Sequence, residues 1–211
     1  MPALPARPLR PLLAALALTA LGACSSSFSG PVEVTRFVAE RPVGLGEGRI
    51  TLEFPEEMSN ARAREAFAEA VSAELGALGY DVVMTRGSST HLATIRTSRN
   101  PIAEAQRRGP VSVGVGGGTG GFGSGVGVGV GLDLVGGRDG PTALTELSVR
   151  ISDADGESLW EGRAQQAVSA KSAYADVDVS AQTLAAALFR DFPGGNGETV
   201  IVELDEIQEP E

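Results

Sequence analysis

Few residues of this 211-residue chain have the types and spacing that chemistry needs, and His91 is its only histidine. A histidine works as a general base or a metal ligand only beside partners such as a nucleophile, a carboxylate or further histidines. Its neighbours are Ser88, Ser89, Thr90 and Leu92, so His91 reads as a strand residue. Asp153-Ala154-Asp155-Gly156 invites a calcium reading. An EF-hand loop, however, places its glycine sixth and a glutamate twelfth, and the glycine here is fourth. Asp-Gly between two β-rich runs reads as a turn. Gly118-Thr119-Gly120-Gly121-Phe122-Gly123 spells a dinucleotide fingerprint, which works only where a helix opens directly after it. The chain continues instead with Val126-Gly127-Val128-Gly129-Val130-Gly131, an alternation that no helix tolerates. The only lysine, Lys171, is far from it, so a P-loop is excluded as well. Arg99, Arg107 and Arg108 could meet a phosphate or carboxylate, but they read first as loop charge. The sequence assigns no catalytic, cofactor-binding or metal-ligating residue, and no enzyme activity is expected.

The elements that would position these residues emerge from periodicity. Val32–Val38 and Arg49–Phe54 are β-rich, and the loop 41–48 between them predicts an antiparallel hairpin. Ser59 is the expected N-cap of a helix whose apolar stripe is Ala63, Phe67, Ala70, Val71, Leu75 and Leu78. Gly79 should end it in a left-handed cap, with Tyr80 folding back onto the last turn. Short strands are expected at 81–85 and 91–97, followed by a polar connector at 101–110. Residues 109–131 contain 12 glycines in 23 positions, and a Gly-rich hairpin is predicted over 109–135. Bare glycine faces of this kind mark close approach by another backbone or an edge that can pair with a partner. A second hairpin joins Leu144–Ile151 to Ser158–Ala164 through the Asp-Gly turn. The last helix should span 176–192, with Val177, Ala181, Leu184, Ala185, Leu188 and Phe192 buried, and 195–211 reads as an acidic, solvated tail.

The first 23 residues have a different composition. Arg7 and Arg10 precede an apolar run from Leu12 to Leu21, then Gly22, Ala23 and the only cysteine, Cys24. A basic start, a short apolar core and small residues before a cut describe a secretory signal. The apolar run is also well short of the roughly 20 residues that span a bilayer. Leu21-Gly22-Ala23-Cys24 resembles the lipobox of bacterial lipoproteins. That resemblance implies lipidation of Cys24, removal of residues 1–23, a membrane anchor supplied by acyl chains, and, with Ser25 instead of aspartate in second position, the outer membrane with the domain in the periplasm. Residues 24–30 would be the lipidated cysteine and a flexible tether, and 31–194 the domain. The mature chain would carry 15 basic and 27 acidic residues, a net charge of −12. That balance argues against nucleic acid as a partner and against an electrostatic grip on anionic lipid. With Cys24 acylated no thiol remains for disulfides or thiolate metal sites.

The order of elements resembles a group of bacterial lipoproteins, domain-of-unknown-function family forty-one thirty-six. The residues that carry the resemblance are the lipobox ending at Cys24, Leu75-Gly76-Ala77-Leu78-Gly79-Tyr80, Ser158-Leu159-Trp160-Glu161-Gly162-Arg163-Ala164, and Phe192-Pro193-Gly194. It implies a single α+β domain, a largely antiparallel sheet with two amphipathic helices on one face, and it carries over no functional residues. Such an arrangement would gather Phe67, Val71, Leu75, Trp160, Leu184 and Leu188 into one core. Three functions are compatible with this, in descending order. The first is a non-enzymatic envelope lipoprotein that binds an unidentified envelope protein or ligand. The second is a subunit of an oligomeric outer-membrane assembly contributing the Gly-rich hairpin. The third is an envelope enzyme.

Overall fold

The computed structural model describes residues 27–83, 87, 90–102 and 143–208. Cys24 and the hairpin predicted over 109–135 lie outside these residues. In chain order the elements are β1 (Ser29–Val38), β2 (Arg49–Glu53), α1 (Ala61–Ala77), β3 (Asp81–Val83), β4 (His91–Pro101), β5 (Ala143–Ser152), β6 (Ser158–Val168), α2 (Val177–Phe189), β7 (Thr199–Val202) and the short α3 (Leu204–Gln208). A 3-10 turn, Ala173–Ala175, leads into α2. The described strands form one sheet in the order β3-β2-β4-β5-β6-β1-β7. Its β1–β6, β1–β7, β4–β5 and β5–β6 ladders are antiparallel, whereas β2 runs parallel to both β3 and β4. The fold is α+β in a single domain, as expected.

Alternation along the strands decides which face is covered. Val32 and Val34 of β1, Ala93 and Ile95 of β4, and Leu147, Val149 and Ile151 of β5 are fully buried. They share one core with Phe67, Val71 and Leu75 of α1, Leu184 and Leu188 of α2, and Trp160 of β6. All six residues expected in a common core are therefore in it. The opposite face carries the polar set, where Arg150 of β5 pairs with Glu161 of β6, and Arg163 with Glu146. This division of apolar and polar positions is what a sheet covered on one side requires.

Local signals set the helix ends. Asn60, one residue after the expected Ser59, is the N-cap of α1, and its side-chain oxygen accepts the Ala63 N–H at 3.1 Å. At the other end Tyr80 N–H donates to Leu75 O and Gly79 N–H to Gly76 O, with Gly79 at φ +106°. This pair of bonds is the Schellman arrangement that Leu75 to Tyr80 predict. Asp176 caps α2 through bonds from Asp178 and Val179 N–H. The helix stops at Phe189, so Phe192 packs from the loop beyond it and not from the helical stripe.

Three further expectations need correction. β1 and β2 do not form a hairpin: β4, β5 and β6 stand between them in the sheet. β2 is paired along both edges, with β3 and β4, and β1 along both of its own, with β6 and β7, so neither strand has an edge left for the other. β6, with eleven residues, pairs with β1 from Ser29↔Val168 to Val38↔Trp160. Buried backbone groups must be bonded somewhere, and β6 bonds those along one edge of β1 over nearly its whole length. The region beyond Gly194 is likewise more than a solvated tail. Thr199–Val202 form β7 against β1, and Val202 is buried in the core. At the start of the domain, β1 begins at Ser29, inside the segment expected to be tether.

Candidate functional site

The ladders give the sheet two distinct ends. At one end Ser29, Val168, Ala143 and Pro101 stand in a row across β1, β6, β5 and β4. At the other lie the start of β4, the β5–β6 turn and the loop from β1 to β2. The residues singled out by sequence fall mainly at this second end.

His91 opens β4 there and is 7% exposed. Its ring meets Tyr80 edge-on at 5.7 Å between centroids, and Gly44 of the β1–β2 loop comes close enough that a Cβ at that position would sit 3.4 Å from the ring. The Tyr80 hydroxyl accepts the Gly46 N–H at 2.7 Å, which pins the same loop. His91 Nδ1 lies 3.2 Å from Thr90 Oγ1, whose own hydrogen is donated to Arg49 O. Burial pushes the His91 pKa below its ordinary 6.5, with Asp153 opposing in part. The neutral ring is therefore the favoured form in the folded state, and the unfolded chain binds the proton more readily. Stability from this group should be complete above about pH 6.5 and decline as pH falls through the folded-state pKa. Urea midpoints at pH 7.5 and pH 5.5 should show that decline, and His91→Gln should lessen it.

Beside His91 lies an open groove of about 340 Å³, lined by Thr90, His91, Leu92, Ser152 and the turn Asp153–Gly156. The Asp153 carboxylate is committed to the turn, because Oδ1 accepts N–H bonds from Asp155 at 3.0 Å and from Glu157 at 2.9 Å. Asp153 and Glu157 also pair through the backbone, and Gly156 takes φ +89°. The geometry is a three-residue hairpin loop closed by a left-handed glycine. Among the described residues no group of three or more histidine, cysteine, aspartate or glutamate side chains is placed to hold a metal ion.

The remaining sequence motifs converge on one structural cluster. Trp160 is 1% exposed, stacks on Phe189 at 5.4 Å, touches Phe192 at 5.2 Å, and donates its indole N–H to Pro193 O at 2.9 Å. Two residues along the strand, Gly162 leaves the space in which the indole lies. A Cβ there would be 2.3 Å from Trp160 Cη2 and 2.8 Å from Leu188 Cδ1. Gly194, at φ +76°, leaves room for Arg36 in the same way, since a Cβ there would be 2.6 Å from Arg36 Cδ. Trp160, Gly162 and Phe192-Pro193-Gly194 thus explain one another as packing.

Arg36 is the residue that sequence reading missed. It is 5% exposed, and its Nε and Nη2 donate to Leu188 O and Ala187 O at 2.9 and 3.0 Å. These carbonyls belong to the last turn of α2, where acceptors lack helical partners and a cation is favoured. Burial weighs against its charge and Asp191 offsets part of that. The available signal was an arginine at the third inward position of the Val32, Val34, Arg36 alternation. Of the three arginines read as loop charge, Arg99 lies on β4 and donates to Ala175 O at 2.7 Å; Arg107 and Arg108 lie outside the described residues.

No family model and no curated protein matches the chain. Solved structures do. A PDZ domain protein from Parabacteroides distasonis ATCC 8503 is similar with a TM-score of 0.50 and 16% identity, over 90% of this chain and 42% of that one. The chain thus spans less than half of that protein's length, and the likeness is one of fold alone. A PelC dodecamer from Paraburkholderia phytofirmans gives a TM-score of 0.35 and 11% identity, over 73% of this chain and 91% of that one.

Proposed function

We propose that this chain is a lipoprotein of the bacterial envelope, acylated on Cys24, which holds a non-enzymatic binding domain at the periplasmic face of the outer membrane. The observation that carries this reading is Leu21-Gly22-Ala23-Cys24 at the end of a signal-like segment, with the first strand of the domain opening only five residues later, at Ser29. Two or more acyl chains anchor stably where one does not, so such attachment needs no help from a chain this acidic. The binding role, against an enzymatic one, draws on how the reactive side chains are engaged. Asp153 holds its own turn, and His91 is packed between Tyr80 and the Gly44 loop. Phe37 and Val43, 54% and 79% exposed at the His91 end, offer apolar contact to a protein partner.

Cys24→Ser tests the anchor. Labelled fatty acid should be incorporated into the wild-type chain and not into the variant, which should leave the detergent phase. Identical labelling and partitioning of the two would overturn the reading. The outer-membrane assignment rests on Ser25, and Ser25→Asp should move the protein to the inner membrane.

A further inference from the structure

We propose that the open edge of β7 takes up an extended segment of a protein partner as a further strand, and that this segment carries arginine or lysine on either side of its apolar residues. The proposal rests on the binding role put forward above and names the surface and the chemistry of the partner.

β7 is the last strand of the sheet, and among the described elements it is bonded only to β1. One row of its N–H and C=O groups is therefore left to solvent, which is a template for strand addition. The devices that close an edge are absent within it. Thr199-Val200-Ile201-Val202 holds no charge and no proline, and its register with β1 is unbroken. Val200 and Val202 turn toward the core, and Ile201 is exposed on the opposite face. Phe37, also exposed, lies on that face past the Thr199 end, beside Gly197. An added strand would gain backbone bonds from β7 and apolar contact with Ile201 and Phe37. The other edge strand, β3, has three residues and opens with Asp81, which pairs with Arg49.

Charge selects the occupant. Glu198 and Glu203 flank β7, both are exposed, and among the described residues no cation pairs with either. From Asp191 to Glu211 the chain has seven carboxylate side chains and no lysine or arginine. A second copy is therefore a poor occupant. Two β7 strands paired antiparallel about a twofold, over all four residues, set Glu198 of each copy opposite Glu203 of the other. Parallel pairing in register sets each glutamate against itself. Like charges directly opposite are destabilising in both cases. The same two carboxylates favour a segment with a cation at each end, about 17 Å apart at the usual strand rise.

The test uses the full chain purified in detergent and two fluorescent six-residue peptides. Both alternate valine and threonine, one between two arginines and the other between two glutamates. The arginine peptide should bind and the glutamate peptide should not, and residue-resolved hydrogen exchange should slow at Thr199–Val202. The double variant Glu198→Lys, Glu203→Lys should weaken the arginine peptide by about tenfold, as two exposed ion pairs turned into repulsions would, and should admit the glutamate peptide. Strand addition uses one edge of the peptide, so N-methylation of one alternate set of its amides should abolish binding while methylation of the other set is tolerated. Binding that ignores the double variant, treats both methylation patterns alike or slows exchange only elsewhere overturns the β7 edge and leaves a binding role standing. Absence of binding by the arginine peptide overturns the edge as well. If all four N–H groups are slow before peptide is added, another segment of the chain covers the edge in a monomer, or a second copy does in a dimer, and either result overturns the proposal. None of these outcomes alters the acylation of Cys24, which fatty-acid labelling reads separately.

Discussion

Gly162→Ala should destabilise the domain by about 2–3 kcal/mol, near the upper part of what overpacked core positions cost. Glycine-to-alanine changes in unstrained backbone ordinarily stabilise by about 0.4–1 kcal/mol, through the entropy of the unfolded chain, so the sign here is informative. The added methyl would lie 2.3 Å from Trp160 Cη2. The indole cannot yield cheaply, because Phe189 and Phe192 pack on it and its N–H is bonded to Pro193 O. At roughly 2–4 °C per kcal/mol for a domain of this size, thermal unfolding followed by circular dichroism should shift downward by about 5–10 °C. The same substitution should cost less in a Trp160→Leu background, since the coupling belongs to the pair. An unchanged or raised midpoint would mean that the indole does not occupy the space over Gly162.

Leu188→Ala should have the other large effect. Leu188 has no exposed surface, belongs to the core between the helices and the sheet, and approaches the same glycine. Its carbonyl is also held by Arg36, so neighbouring backbone has little freedom to close over a void. Truncation of a buried leucine costs about 2–5 kcal/mol, with the higher values at sites that cannot collapse. Urea denaturation measures this directly. A loss below about 0.5 kcal/mol would be inconsistent with the buried position of α2.

Much of the local structure is written in short-range pattern, and the long-range pairing is not. The left-handed stop at Gly79 with Tyr80 returning to Leu75 O depends on residues within one turn, and it is legible for that reason. So is the turn at Asp153–Gly156, where a side chain bonds the backbone beside it. The partner of β1 lies instead more than a hundred residues away, from Ser29↔Val168 to Val38↔Trp160, and no local pattern points to it. The loop from Ala39 to Gly48 resembles a hairpin connection in composition, but it crosses the end of the sheet, with Gly44 over His91 and Gly46 bonded to Tyr80. Arg36 was hidden by its type: arginine is normally read as surface, and only the distant carbonyls of α2 reveal why it is inside. Trp160 was recognised as core, while the need for Gly162 beneath it becomes visible only with the ring in place.

The most direct measurement on the proposed anchor is the mass of the N-terminal peptide of the protein extracted from membranes. The expected peptide begins at Cys24, lacks residues 1–23 and carries the added mass of diacylglycerol and a further acyl chain. A peptide that retains residues 1–23, or one cut there with an unmodified Cys24, would contradict lipid anchoring.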